Sequence, residues 1–442
     1  MPRDAERTEA AGGGYTRFTR VRRASYCRVL LVVSTFCLLG PYSQLLRVTI
    51  PFCEQLGGFI NHRHRPQLSP LLPPLKFKKD GSFQLSIFSD LHFGENAWEP
   101  WGPKQDLASL GVINSVLDRE PETDFVVLNG DIITGENVYR DNGTQYIDKI
   151  AETLASRDIT WGSTYGNHDS DCRLSPTAMF EREKRYKGSR TARMVRGREE
   201  GVGVTNYYLE VQGLDARVEM VLWFFDSRGG FVSQEEGGGN RRKGRENWVS
   251  KEVVRWFREM SGRLKRENGG RSLPGLGFVH IPTGAFWEAQ KRGIDGKKQP
   301  GINGDQPVNR QGEGWCEDGM EGCEYGGQDG GFMEAVMEEG LLGLFVGHDH
   351  GDTWCSDYEK GGRRVYLCFG QHTGYGGYGS WIRGSRQVWV SIEGLRLREM
   401  DTWVRLESGK VVGRVRLNET FGRDEYEVVE DERTHLPVDE EN

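Results

Sequence analysis

Five of the nine histidines in this chain stand in short motifs, each placed after an apolar run. Asp90-Leu91-His92 follows Phe83–Ser89, and Gly130-Asp131 follows Phe125–Leu128. Gly166-Asn167-His168-Asp169 follows Ile159–Thr164. His280 ends the run Gly277–Val279, and Gly347-His348-Asp349-His350 follows Leu341–Val346. Any one of these residues alone would read as a hydrogen-bonded loop residue. Together, mixed Asp, Asn and His donors suit iron and the borderline divalent metals better than calcium, which prefers all-oxygen sites. Two metals need a shared ligand, and a carboxylate on a tight Gly-Asp turn is suited to bridging.

Such motifs serve one site only if the fold brings them to one edge. The runs before them read as strands. Asp106–Leu117, Tyr146–Ser156 and Asn247–Lys265 read as helices. Strand and helix alternate through the first half, predicting βαβ units and a mostly parallel sheet. In open α/β sheets ligands bind beyond the carboxyl ends of the strands, where these motifs sit. Further strands are expected at Tyr207–Val211, Val218–Phe225, Val365–Phe369, Val388–Ile392, Thr402–Leu406 and Val411–Leu417, with a hairpin turn at Ser408-Gly409. The sum is an α/β domain with two packed sheets. Glu181–Gly203 and Lys297–Gly331 look like insertions, expected as solvated loops; bordering the site is the alternative.

The five motifs resemble the signature of calcineurin-like metallophosphoesterases over roughly Ser82–Leu417. The run Gly370–Gly379, with Arg383-Gly384-Ser385-Arg386 and His280-Ile281-Pro282, is similar to the Dcr2 branch, which holds fungal Dcr2-type phosphatases and small plant purple-acid-phosphatase-like proteins. The resemblance implies a four-layer α-β-β-α sandwich and two metal ions, Fe, Mn or Zn. It implies that Asp90, His92 and His350 bind the first metal, that Asp131 bridges, and that Asn167, His280 and His348 complete the second. A hydroxide held between the metals would attack phosphorus in line. His168 would donate to the leaving oxygen. Asp169 would orient His168, as a carboxylate fixes an imidazole tautomer, or else cap its loop. The implied reaction is phosphomonoester hydrolysis on a small molecule or a protein, with a phosphodiesterase as the alternative.

This chain departs from the purple enzymes in having Thr134 where they carry a tyrosine ligand, and in having His92. Gln371 stands where the branch is expected to have arginine, and Gly351-Asp352 where Asn-Asp is expected. Arg383 and Arg386 are candidate phosphate clamps, because guanidinium pairs bidentately with phosphate; the alternative is a salt-bridged turn. His372 is expected to be structural, and Trp98 and Trp101 to pack. Tyr375 and Tyr378 line the site or pack a turn.

The formal net charge of −7 over 442 residues argues against a nucleic-acid partner. Residues 1–28 form a basic segment, and the uncharged run 29–46 reads as a signal peptide or signal anchor rather than a core helix. The upstream arginines favour a type II anchor with a lumenal or extracellular body; a secreted or vacuolar protein is the alternative. Residues 47–81 read as a proline-rich linker, 82–424 as the phosphoesterase domain, and 425–442 as a mobile acidic tail. Asn142-Gly143-Thr144 and Asn418-Glu419-Thr420 are glycosylation sequons. Six cysteines beyond the apolar segment leave their pairing open, with Cys316 and Cys323 the nearest pair. Two rival classes are a non-catalytic metal-binding recognition glycoprotein and a membrane-tethered interaction protein. The oligomeric state is not legible.

Overall fold

The computed structural model describes residues 72–171, 173–233, 243–314 and 329–436. The basic and apolar N-terminal segments, Cys172, Cys316 and Cys323 lie outside the described residues. In chain order the elements are β1 (Leu75–Lys76), β2 (Ser82–Phe88), α1 (Gly102–Arg119), β3 (Phe125–Asn129), α2 (Tyr146–Ala155), β4 (Trp161–Thr164), α3 (Pro176–Glu183), α4 (Glu199–Val202), β5 (Tyr207–Gln212) and β6 (Val218–Phe225). They continue with α5 (Lys251–Glu267), β7 (Gly275–Val279), α6 (Gly284–Arg292), α7 (Phe332–Glu339), β8 (Gly343–Val346), β9 (Cys355–Lys360), β10 (Arg363–Phe369), β11 (Gly384–Ser391), α8 (Ile392–Leu397), β12 (Met400–Leu406) and β13 (Val411–Leu417).

One sheet has the order β1-β5-β6-β7-β8-β10-β9 and the other β13-β12-β11-β2-β3-β4. Side chains alternate across a strand, so an all-apolar strand must bury both faces. β3 does so. Phe125 and Val127 face the other sheet, packing in one cluster with Phe224, Phe278 and Phe345. Val126 and Leu128 face outward onto Val112, Ile113 and Val116 of α1 and Ile147, Ile150 and Leu154 of α2. On the far side Val253 and Phe257 of α5, Phe286 of α6 and Phe332 of α7 cover Trp223, Phe225, Val279 and Leu344. The result is the four-layer α-β-β-α sandwich.

Several expectations change. Both sheets are mixed: the seven-stranded one is mostly parallel, as expected, with four parallel pairings to two antiparallel, while the six-stranded one has two parallel to three antiparallel. β2-β3-β4 and β6-β7-β8-β10 run parallel, while β11, β12 and β13 return as antiparallel hairpins. β1, inside the stretch read as linker, pairs with β5 through Leu75↔Val211, so the ordered body starts before Ser82. β9 was not anticipated; its sequence CSDYEK has only weak alternation. It is joined to β10 by the disulfide Cys355–Cys368, whose Cα atoms lie 4.1 Å apart. The acidic tail is docked as far as Thr434, which donates its amide to Ser380, while Ile382 donates to the carbonyl of Glu432. The charged stretch 181–203 is not a solvated loop. Glu183 is buried and accepts hydrogen bonds from Trp161, Ser163, Tyr165 and Thr191. With Ser189, five neutral donors on one carboxylate offset its desolvation.

Candidate dimetal centre

Each motif begins within a few residues of a strand's carboxyl end: Asp90 after β2, Asp131 after β3, Asn167 after β4, His280 after β7 and His348 after β8. The parallel strands therefore deliver all five to one edge. The chain must turn sharply there. Asp90, His92, Asp131 and His348 all have positive φ, at 56°, 48°, 48° and 77°. Left-handed backbone at non-glycine residues costs of order 1–3 kcal/mol each and gathers at functional sites. The neighbouring glycines allow close approach. A Cβ on Gly166 would fall 2.2 Å from Asp131 Oδ1, and one on Gly130 2.3 Å from His280 Nδ1.

Two triads form among the described residues, Asp90/His92/His350 and Asp131/His280/His348, each with its ligand atoms within 4.8 Å of one another. Asp131 Oδ2 lies 2.9 Å from His280 Nε2 and 3.8 Å from His92 Nε2, so it reaches toward both. The outer ring nitrogens are held: His92 Nδ1 by Thr134 Oγ1 at 3.0 Å, His280 Nδ1 by the Asn129 carbonyl at 3.0 Å, and His350 Nδ1 by the Tyr378 carbonyl at 2.7 Å. Such bonds fix the tautomer and leave Nε2 to a metal. Thr134 thus takes an orienting place where the purple enzymes have a ligand.

The donor set fits metal ions. His92 Nε2 and His350 Nε2 face each other at 3.2 Å, and the buried Oδ1 of Asn167 has no hydrogen-bond partner. Burial, with the charges around it, pushes His92 and His348 down to about 3, leaving neutral imidazoles with free lone pairs. Burial alone would lower His280 and raise Asp131. Their mutual attraction prevails, holding His280 up at about 9 and Asp131 well below the carboxylate range. A cation would take the place of that shared proton.

The residues around the centre correct three expectations. Asp169 does not orient His168. Its Oδ1 accepts from the amides of Ile132 and Ile133, and its Oδ2 from Gly166. It ties the bridging loop to the His168 loop. The carboxylate on His168 is Glu136, whose Oε1 lies 2.5 Å from Nδ1. Burial opposes protonation of His168, but Asp131 and Glu136 outweigh it and raise the imidazole to about 10. Alanine at Asp169 would strand three buried amides at about 1–3 kcal/mol each. Asp169→Ala is therefore expected to lower the melting temperature clearly, measurable by calorimetry, beyond any effect of Glu136→Gln.

Arg383 and Arg386 are not phosphate clamps. Both are buried. Arg386 donates to the carbonyls of Phe369 and Thr353 and to Thr402 Oγ1, and Arg383 to the carbonyls of Trp381 and Gly379. These bonds turn both guanidinium groups into the protein, although the buried Nε of Arg383 has no partner. Gln371 is likewise buried, donating to the Ile382 carbonyl. His372 lies behind His350, ring centroids 3.8 Å apart, and meets the Gly376 carbonyl. Tyr375 packs under Arg383, and Trp98 stacks edgewise on Tyr139 at the surface. A cavity of about 560 Å³ opens over Asp131, Asn167, His168, His348 and His350. The second insertion borders it through Asp305, Val308, Asn309 and Glu313, and Tyr378 forms another wall.

Two ligand triads, buried but for the half-buried His348, at the carboxyl edge of a four-layer sandwich define a dimetal phosphoesterase. Residues 84–352 match the calcineurin-like phosphoesterase family, and the chain belongs to it. Among curated relatives, the chain is 27% identical to "Probable inactive purple acid phosphatase 29" of Arabidopsis thaliana, over 75% of this chain and 84% of that one. It is 23% identical to Phosphatase DCR2 of Saccharomyces cerevisiae, over 66% of this chain and 48% of that one. These are relatives of the branch that the motifs resemble. Among solved structures, a dimetal phosphatase from Danio rerio aligns over 77% of this chain and 99% of its own, at 14% identity and TM-score 0.42.

Proposed function

We propose that this protein is an active phosphomonoesterase. The observation that carries the reading is the pair of triads meeting at Asp131, with the His168–Glu136 pair beside them. Asp90, His92 and His350 would hold one metal ion, and Asn167, His280 and His348 the other, with Asp131 shared. When bound, two such ions supply Lewis acidity toward the phosphoryl oxygens and a nucleophile at neutral pH. The chain's own residues supply the rest. Glu136 fixes His168 through Nδ1 and, together with Asp131, favours its protonated form against burial, which leaves Nε2 to give a proton to the departing alkoxide. Thr134, Asn129 and Tyr378 hold the ligand imidazoles in register.

The plant relatives are named as probable inactive proteins, which favours the non-catalytic reading for them. In this chain the full donor set and an oriented acid support turnover. The test is the metal-loaded protein on p-nitrophenyl phosphate and bis(p-nitrophenyl) phosphate. Faster hydrolysis of the monoester is expected; a diester preference overturns the substrate class.

We further infer a lumenal or extracellular body, supported by the Cys355–Cys368 disulfide, since such bonds persist in oxidising compartments. No helix among the described residues is long and apolar enough to cross a membrane, and residues 29–46 lie outside them. Protease protection of the body in intact membrane vesicles is expected, and digestion from the cytosolic side overturns the topology.

A further inference from the structure

The cavity over the dimetal centre has an unusual charge. Among the described residues that line it there is no lysine or arginine, while Asp305, Glu313 and Asp349 add carboxyl groups beyond the ligands, Glu313 lying 3.5 Å from Arg310 just outside the lining. Arg383 and Arg386 are turned into the protein. The phosphoryl group therefore meets its positive partners at the metal centre and His168, and whatever is attached to it meets a wall of acidic and aromatic side chains in which Asp305 carries the charge.

That wall is built rather than incidental. Tyr378 stacks on His350 with centroids 4.0 Å apart and planes 12° apart, yet remains half exposed. Its hydroxyl donates to Asp305 and lies 3.1 Å from the His350 amide. A tyrosine ring and a carboxylate are thus fixed together one side chain away from a metal ligand. Asp349, only 4% exposed, has one oxygen on the Asn309 amide at 3.2 Å, and its Oδ2 has no hydrogen-bond partner. A buried acceptor without a donor is costly unless a donor arrives. An aromatic face beside carboxylates is the arrangement that receives an organic cation.

We propose that this cavity selects phosphomonoesters whose alcohol carries a positive charge, held by Tyr378 and Asp305 with Asp349 behind them. The proposal rests on the phosphatase reading and names its substrate class. The charge can come from a small amino alcohol or from a basic side chain next to a phosphoserine; both present a cation a few bonds from the ester.

The test compares shape-matched pairs on the metal-loaded full chain. One pair is phosphocholine and 3,3-dimethylbutyl phosphate, which differ only in the charge of the head. The other is a phosphoserine peptide with arginine or citrulline at the adjacent position. The cationic member is expected to win in kcat/KM by roughly tenfold in at least one pair, and the pair that discriminates identifies the source. In Asp305→Asn the amide can still accept from Tyr378, and that ratio is expected to fall severalfold. Ratios near one in both pairs, with the neutral esters turned over, overturn the proposal and leave the phosphatase reading standing. A ratio that Asp305→Asn does not change also overturns it. No turnover of any monoester removes the phosphatase reading and this inference with it.

Discussion

Replacing Asp131 with alanine is expected to reduce metal content from two ions per chain to one or none and to lower turnover by more than about a thousandfold. The expectation follows from position. Asp131 is fully buried, lies 2.9 Å from His280 Nε2 and 3.8 Å from His92 Nε2, and so reaches toward both triads, more closely than Asp90, which is 4.0 Å from His280 Nε2. It also accepts the amide of His168 at 2.8 Å, so its loss loosens the proton donor as well. Metal analysis on the purified variant, alongside far-ultraviolet circular dichroism to establish folding, checks the result. A folded Asp131→Ala protein with two metals and wild-type rate would refute the site.

The second large effect concerns His168. His168→Asn is expected to keep both metals and to lower kcat by about 10²–10⁴ for a substrate with a poor leaving group, the usual contribution of a placed general acid. The loss should shrink for p-nitrophenyl phosphate, whose leaving group needs little protonation. Glu136→Gln should show a smaller loss and a telling pH shift. Glu136 helps hold His168 protonated, with Asp131 and against burial. Removing that charge lowers the His168 pKa. The rate should then fall off at lower pH than in wild type, because the acid form is lost earlier as pH rises. An unchanged alkaline limb would mean that Glu136 does not tune His168. An equal loss for good and poor leaving groups would mean that His168 does not donate the proton.

The ligand positions were legible because each lies in a short polar motif just past an apolar strand, and strand ends are where a parallel sheet exposes side chains. Glu136 was not legible. It stands alone on a short 3-10 turn, Gly135–Asn137, and only the close approach of that turn to His168 gives it meaning; the Gly135 amide donates to the His168 carbonyl at 2.9 Å. Asp169 misled because it is adjacent to His168 in sequence, while its side chain turns back to the amides at 132, 133 and 166. Arg383 and Arg386 misled for a related reason. A Gly-rich loop followed by two arginines looks exposed, but Arg386 lies on β11, paired on both sides, and its guanidinium is buried against carbonyls. Sequence spacing gives the face of a strand but not how deep the strand lies. The antiparallel pairings of β11 with β2 and β12 were hidden similarly, since apolar alternation does not state strand direction, whereas the β12–β13 hairpin was marked by its Ser408-Gly409 turn.

The central claim is a working dimetal centre on this chain, and its most direct measurement is reconstitution. Chelator-stripped protein is titrated with Fe, Mn or Zn, with bound metal and phosphomonoester hydrolysis followed together. Activity should be absent without metal and rise to a maximum as the second ion per chain binds. Two ions bound with no hydrolysis of any monoester or diester would contradict catalysis, and saturation at one ion per chain would contradict the shared site at Asp131.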